Sequence, residues 1–297
     1  MKENSSLSKS GDQICFVNNP KGIVVQKKQT NNNGSRLREQ AEKQRIFGET
    51  IREDRCLRHI LYVPKIESTS TEKKYFSFEM EYCHGDNLID LFEKRGVNKI
   101  RRICGSLYYY LDWEFSQSKL SNAWFIPTIK KVEELKMKID SDIFDINSLD
   151  TLTELIILNK DIMIHEGLCH GDLTFSNMLF TDKVVLFDFL PVYFETPYQD
   201  ISKLLQEVQL KWMHLIAHNI TDKAKVEIAY IFLKNQINKI IQDLVEKYEI
   251  NYTLVLIFYS ITIIRILPYV DSPNVVAVIQ EEFKKTIQQI YEVNNAK

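Results

Sequence analysis

Asp172, Asn177 and Asp188 lie in one short stretch of the chain. Cys169-His170-Gly171-Asp172-Leu173-Thr174-Phe175-Ser176-Asn177-Met178-Leu179-Phe180 leads through a brief turn into Val185-Leu186-Phe187-Asp188-Phe189. Transfer of a phosphoryl group from a nucleotide asks for such a set. One carboxylate takes the proton of the acceptor hydroxyl, while an amide and a second carboxylate hold the magnesium ions that neutralise the phosphates. The apolar residues around each polar one read as strand, loop and strand. Asp and Asn also form surface turns, but a turn gives no reason for an apolar strand that ends in Asp188.

Asp172 and Asn177 stand five residues apart, the interval between the base Asp and the metal-binding Asn of the kinase catalytic loop. His170-Gly171-Asp172 occupies the place of the His-Arg-Asp of protein kinases. This variant resembles the aminoglycoside phosphotransferase and choline kinase superfamily, which phosphorylates small molecules on a protein-kinase-like fold. The resemblance implies an α+β, two-lobed chain. Residues 1–84 would form a small antiparallel-sheet lobe with one helix that binds nucleotide, and residues 85–297 a larger, mostly helical lobe with the catalytic loop and acceptor site. It further implies Asp172 as base, Mg2+ held by Asn177 and Asp188, ATP as phosphoryl donor and a small-molecule hydroxyl as acceptor.

The segment after Asp188 separates small-molecule from protein kinases. Only eleven residues stand between Asp188 and Asp200, too few for the activation segment that runs from DFG to APE in protein kinases. Thr196-Pro197-Tyr198-Gln199-Asp200-Ile201-Ser202-Lys203-Leu204 resembles instead the Pro-x-x-Asp-hydrophobic-Ala-Lys-Leu helix start of small-molecule phosphotransferases. There the Asp braces the catalytic loop, so Asp200 is expected to be structural support. The acceptor site is less legible: Tyr193, Phe194 and Glu195 offer aromatic faces and a carboxylate for a cation such as an aminoglycoside or choline, and serve equally as loop packing.

The elements that must position these residues follow from pattern. Residues 13–28 read as two strands joined by the turn Asn18-Asn19-Pro20-Lys21-Gly22. After a loop at 31–35, Ser35 can cap a helix running through Arg45 or beyond. Residues 60–65 and 75–82 read as strands, with Ser68-Thr69-Ser70-Thr71 as an exposed loop. Helices are expected near 87–95, 98–117, 128–140, 148–166, 198–217, 222–247, 252–267 and 275–291. Strands first and helices after is the α+β pattern.

Val24-Val25-Gln26-Lys27-Lys28 resembles the V-A-I-K strand of kinases, aligned so that Lys27 meets the phosphates. Alternation puts Val25 and Lys27 on one face and Lys28 on the other. The carboxylate pairing with that lysine is Glu39 or Glu42, which share a helix face; Glu42, deeper in the helix, is preferred. Met80-Glu81-Tyr82-Cys83-His84-Gly85 resembles the kinase hinge. By that resemblance Met80 guards the pocket, and the Glu81 carbonyl and Cys83 amide meet the adenine edge. The phosphate-covering loop falls on Ser5-Ser6-Leu7-Ser8-Lys9-Ser10-Gly11, whose single glycine departs from the glycine-rich pattern.

Bulk properties agree with this reading. A chain of 297 residues, 44% hydrophobic and 26% charged, reads as globular and large enough for two lobes. Its net charge of −2 gives no ground for a nucleic-acid partner. The five cysteines, Cys15, Cys56, Cys83, Cys104 and Cys169, show no metal-binding spacing and read as reduced thiols. The N-terminus lacks the apolar core of a signal peptide. The apolar window Leu254–Leu267, interrupted by Arg265, reads as a buried helix rather than a membrane span. A cytoplasmic enzyme without a membrane partner is expected. Two other readings share the motifs: a non-catalytic nucleotide-binding scaffold, and a protein-modifying kinase or AMP transferase on the same fold.

Overall fold

The computed structural model describes residues 5–7, 12–20, 22–29, 35–72, 75–217 and 220–295. The chain divides into two compact units, Met1–Leu88 with Ser176–Pro191, and Ile89–Phe175 with Val192–Lys297.

In the first unit, β1 (Ser5–Leu7), β2 (Gln13–Asn19) and β3 (Gly22–Lys28) are followed by α1 (Ser35–Glu53) and the one-turn α2 (Leu57–Ile60). Next come β4 (Leu61–Tyr62), β5 (Ile66–Glu72) and β6 (Tyr75–Glu81). Five of these strands make an antiparallel sheet in the order β1-β2-β3-β6-β5. Phe76, Phe78 and Met80 recur every second residue along β6 and are all buried; Leu37 and Ala41, one helical turn apart on α1, pack on them.

Two sequence expectations change here. The strand expected over 60–65 shrinks to β4, because Asp54 Oδ1 accepts the Cys56 and Leu57 amides at 2.8 Å each and starts a helical turn that runs to Ile60. The loop expected at Ser68–Thr71 is instead the middle of β5, paired with Ser77–Phe76 and neighbours on β6. Its polar residues belong there because β5 is a sheet edge, where side chains meet water.

The motif strands β9 (Met178–Phe180) and β10 (Val184–Leu186) form a hairpin, and β10 runs parallel to β4. Asp86 and Phe180 exchange backbone hydrogen bonds of 3.1 and 2.8 Å. Gly85 allows this approach, since a Cβ there would stand 2.9 Å from Leu179 Cβ. These pairings carry Ser176–Pro191 into the first unit and extend that unit to Leu88. The sequence boundary at 84/85, with everything beyond it in the helical lobe, missed both.

The second unit contains α3 (Leu88–Lys94), α4 (Val97–Ser116), α5 (Phe125–Lys138), α6 (Asn147–Leu158), and the antiparallel pair β7 (Lys119–Ser121) and β8 (Ile164–Glu166). Then follow α7 (Pro197–Leu210), α8 (Trp212–Ile216), α9 (Lys223–Lys247), α10 (Tyr252–Ile264) and α11 (Pro273–Asn295). The helix expected over 148–166 stops at Leu158, where the Asn159 side-chain Nδ2 donates back to Leu155 O at 2.7 Å. The one expected over 198–217 breaks at Lys211, which turns left-handed at φ 49°. Thr253–Ile264 of α10 is buried throughout. The window Tyr252–Tyr269 is apolar enough by composition to cross a membrane, and 72% of it is buried inside the protein.

Candidate active site

Within the second unit the backbone of the His-Gly-Asp loop is held by one carboxylate. Asp200 Oδ2 accepts the His170 amide at 2.6 Å and Oδ1 accepts the Gly171 amide at 2.8 Å. Asp200 can do this because its helix start is fixed. The Thr196 side chain accepts the Tyr198 amide at 3.3 Å, and Pro197 fills the first helical position. Gly171 has φ 84°, a conformation strained for any residue with a side chain, which is why glycine stands beside Asp172. The Asp172 amide then donates to His170 Nδ1 at 3.2 Å, and the Thr174 amide donates to Asp172 O at 2.7 Å.

Asp172 meets Lys203, with Nζ 3.0 Å from Oδ1. Burial pushes the Asp172 carboxyl up, but the Lys203 ammonium, helped by His170 and Arg265, more than offsets it and holds the group below the usual carboxylate range. Lys203 lies one turn after Asp200 on α7 and also donates to Gln206 Oε1 at 3.1 Å. The loop therefore presents an ionised carboxylate on a fixed backbone. Sequence reasoning quoted Lys203 inside the helix-start motif without giving it a role, because nothing in that spacing says which group it meets.

The residues after Asp188 that were candidates for a cation site are engaged locally. The Tyr193 ring stacks on Phe258 at 6.1 Å, and Phe194 is buried. Glu195 Oε2 lies 3.4 Å from the Cys169 amide and 3.3 Å from its thiol.

The first unit brings together Lys27 and Asp188. The buried Lys27 ammonium on β3 forms an ion pair with Asp188, while Lys28 turns the other way and lies 5.2 Å over the Tyr75 ring. Asp188 has φ 64°, a left-handed backbone uncommon for a residue with a side chain. Such strain persists where surrounding contacts enforce it. Here Phe189 is buried against Phe47 at 4.8 Å and Leu190 O accepts Lys43 Nζ at 2.8 Å. The Phe187 amide donates to Asn177 O at 3.2 Å, tying the two sides of the hairpin at these residues.

Glu42 is not the partner of Lys27, contrary to the sequence expectation. It is exposed and forms an ion pair with Arg45 at 2.6 Å; Glu39 is exposed as well. The stripe Leu37, Ala41, Phe47 and Ile51 fixes the rotation of α1, so Gln40, Lys43 and Gln44 turn inward instead.

At the expected hinge, Met80 is buried and its Sδ accepts Gln44 Nε2 at 3.4 Å. The Glu81 carboxylate accepts the Lys65 amide at 2.8 Å and the Tyr62 hydroxyl. Burial, with the Glu81 carboxylate adding, pushes the Cys83 thiol up to about 11 and keeps it protonated. The expected phosphate-covering loop is altered: Ser5–Leu7 pairs with β2 as a strand, and Ser8–Gly11 lie outside the described residues.

Asn177 and Asp188 fit a magnesium ion by their chemistry. Both offer hard oxygen donors, and magnesium is commonly held by one or two protein oxygens, with water and phosphate completing its shell. No group of three or more His, Cys, Asp or Glu able to hold a metal exists among the described residues.

No protein-family model matches the chain, and no curated protein matches its sequence. Solved structures match its fold. One is a Haemophilus somnus 129PT protein provisionally named fructosamine-3-kinase, at TM-score 0.55 and 12% identity over 98% of this chain and 91% of that one. A second is the aminoglycoside phosphotransferase APH(2'')-IIa with gentamicin, at TM-score 0.54 and 14% identity over 97% and 91%. A third is ADP-bound APH(2'')-Ib, at TM-score 0.52 and 14% identity over 98% and 94%. At such identities the shared property is the architecture. The chain has the α+β, protein-kinase-like fold of the aminoglycoside phosphotransferases.

Proposed function

We propose that the protein is a phosphotransferase that moves the γ-phosphoryl group of ATP to a hydroxyl of a small molecule. The observation that carries this reading is Asp172, an ionised carboxylate on a loop fixed by Asp200, in a chain with the fold of small-molecule phosphotransferases. Asp172 accepts a hydrogen bond from the acceptor hydroxyl and aims its oxygen at the γ-phosphorus. It takes the proton as the new P–O bond forms and the bond to the ADP oxygen breaks. Lys203 holds the carboxylate in place and ionised.

In this reading the first unit serves the nucleotide. Lys27 brings positive charge to the α- and β-phosphates, and Met80, Glu81 and Cys83 line the adenine edge. Asn177 and Asp188 hold magnesium, which when bound neutralises charge on the phosphates. Glu42 drops out of the nucleotide site. The eleven residues between Asp188 and Asp200 suit a compact acceptor better than a polypeptide, which counts against a protein kinase or AMP transferase. The net charge of −2 and the burial of α10 fit a cytoplasmic enzyme without nucleic-acid or membrane partners.

A specific observation favours a second reading. Lys27 pairs with Asp188, and the α1 glutamates proposed to partner it face solvent, an arrangement open to a non-catalytic nucleotide-binding scaffold. The readings divide in one assay. Purified protein with magnesium and γ-labelled ATP is given an extract of sugars, amino alcohols and aminoglycosides, beside Asp172→Ala. Label in a small molecule with the wild type alone is the expected result. Nucleotide binding without transfer to any acceptor puts the scaffold ahead.

A further inference from the structure

The carboxylate expected on α1 faces solvent, and the inward face of that helix carries a lysine. Packing of Leu37, Ala41, Phe47 and Ile51 turns Gln40, Lys43 and Gln44 inward. Lys43 is 8% exposed. Burying an ammonium is costly, and α1 uses an uncharged amide at the next position. Gln44 Nε2 satisfies a backbone carbonyl, Pro64 O at 2.9 Å, without burying any charge. A lysine at 43 therefore calls for a reason of its own.

Its contact supplies one. Lys43 Nζ donates to Leu190 O at 2.8 Å, two residues beyond Asp188. Four residues along α1 and on the same face, Phe47 meets Phe189 with ring centroids 4.8 Å apart. Both rings are buried. The two residues after Asp188 are thus gripped by two successive turns of one helix, Phe189 by its ring and Leu190 by its carbonyl. On the near side of Asp188, the Phe187 amide donates to Asn177 O at 3.2 Å.

The helix that does this is itself anchored. Leu37 and Ala41 pack on Phe76, Phe78 and Met80, and Gln44 Nε2 reaches Met80 Sδ at 3.4 Å as well as Pro64 O. Asp188, between the two holds, has φ 64°. An aspartate in that conformation keeps it only while its surroundings enforce it, and a change of backbone there redirects the carboxylate. A charge-assisted hydrogen bond is about twice as strong as a neutral one, which is what a lysine adds over the glutamine beside it.

We infer that Lys43 is a positioning residue for Asp188: with Phe47 it clamps Phe189 and Leu190, and so keeps the Asp188 carboxylate aimed while it exchanges Lys27 for magnesium. This rests on the metal role given to Asp188 in the proposed function. Lys43 acts through the backbone and binds neither nucleotide nor metal.

The test is calorimetric titration of ADP, in EDTA and across a range of magnesium concentrations, on the wild type, Lys43→Met, Lys43→Arg and Phe47→Leu. In Lys43→Met the magnesium needed for half of the gain in ADP affinity is expected to rise about 10- to 100-fold, the range for loss of a group that supports a metal ligand. Its ADP affinity in EDTA should match the wild type. Lys43→Arg, which keeps a charged donor, should stay near the wild type. If Lys43→Met does not fold, Phe47→Leu, which trims the other arm, decides, with a smaller shift of the same dependence. Unchanged magnesium dependence beside a magnesium-dependent wild type overturns the clamp alone. Equal loss of ADP affinity with and without magnesium also overturns it, since that marks a fold or phosphate role. Wild-type ADP binding that ignores magnesium removes the metal role of Asp188 and this inference with it. The labelled-ATP assay judges phosphoryl transfer separately.

Discussion

Each unit contains a lysine–aspartate pair, and the two look alike by exposure. The Lys27 and Asp188 side chains are 5% and 27% exposed, those of Lys203 and Asp172 10% and 23%. Their supports differ. Asp188 sits on strained left-handed backbone and its lysine on a separate strand. Asp172 sits on a loop pinned by Asp200, and its lysine is one turn along the helix that carries Asp200. In the proposed function, both members of the first pair take new partners, phosphate and magnesium, when nucleotide binds. The second pair keeps its geometry. A strained pair suits exchange of partners, whereas a braced one suits a base that must stay aimed.

The sharpest way to break this contrast is Asp172→Asn. Transfer should fall by about 10²- to 10⁴-fold, the range for loss of general-base catalysis, with nucleotide affinity unchanged. Single-turnover kinetics and a binding titration measure the two separately, and an active Asp172→Asn protein ends the role assigned here. Next in size are the lysines. Lys27→Met should raise KM for the nucleotide and lower kcat, sparing acceptor KM. Lys203→Met should leave nucleotide KM alone and move the acid limb of the pH–rate profile upward. The sign follows from Asp172: its folded-state carboxyl lies below the ordinary value because Lys203 more than offsets burial, so losing the lysine lets burial raise it. The same linkage makes the pair stabilising above the ordinary carboxylate range and lost as pH falls through the depressed value. If both lysine variants shift the same kinetic constant, the division of labour fails.

A fully buried carboxylate, Glu207, sharpens the comparison by lacking a lysine. Glu207 accepts the Tyr230 hydroxyl at 2.8 Å and the Met213 amide at 2.9 Å, and burial outweighs these bonds to push its carboxyl from 4.5 up to about 7. A raised acid gives the opposite dependence. Stability should decline as pH rises from 4.5 to about 7, then level off. The decline is worth about 3 kcal/mol at 1.36 kcal/mol per pH unit. Glu207→Gln should flatten that slope in denaturant melts across this window; an unchanged slope removes Glu207 as its source. The smallest effect belongs to Glu42→Gln, which should change neither transfer nor melting temperature, since its carboxylate meets only Arg45 in solvent.

What the chain reveals without its structure depends on how far apart interacting residues lie. Asp172, Asn177 and Asp188 are legible because one chemistry needs fixed residue types at short, fixed intervals. The alternation of β3 separates Lys27 from Lys28 for the same reason. Glu42 misled because proximity along α1 does not set which way the helix rolls; Leu37, Ala41 and Phe47 set that by packing. Ser68–Thr71 misled because composition does not tell an edge strand from a loop. Lys203 was missed for a simpler reason. Its meaning lies in Asp172, which it meets on a loop before its own helix, and no local pattern records it.

The Lys27–Asp188 pair also bears on heredity. It binds two codons separated by 161 positions into a common fate. Losing Asp188 strands a buried ammonium, which damages folding and, in the proposed function, catalysis as well, whereas losing Lys27 leaves a carboxylate that water still reaches. The two routes to inactivity are therefore unequal. A lineage that gave up catalysis would shed the lysine first and the aspartate afterwards, so a descendant with Lys27 but without Asp188 should be the rarer genotype.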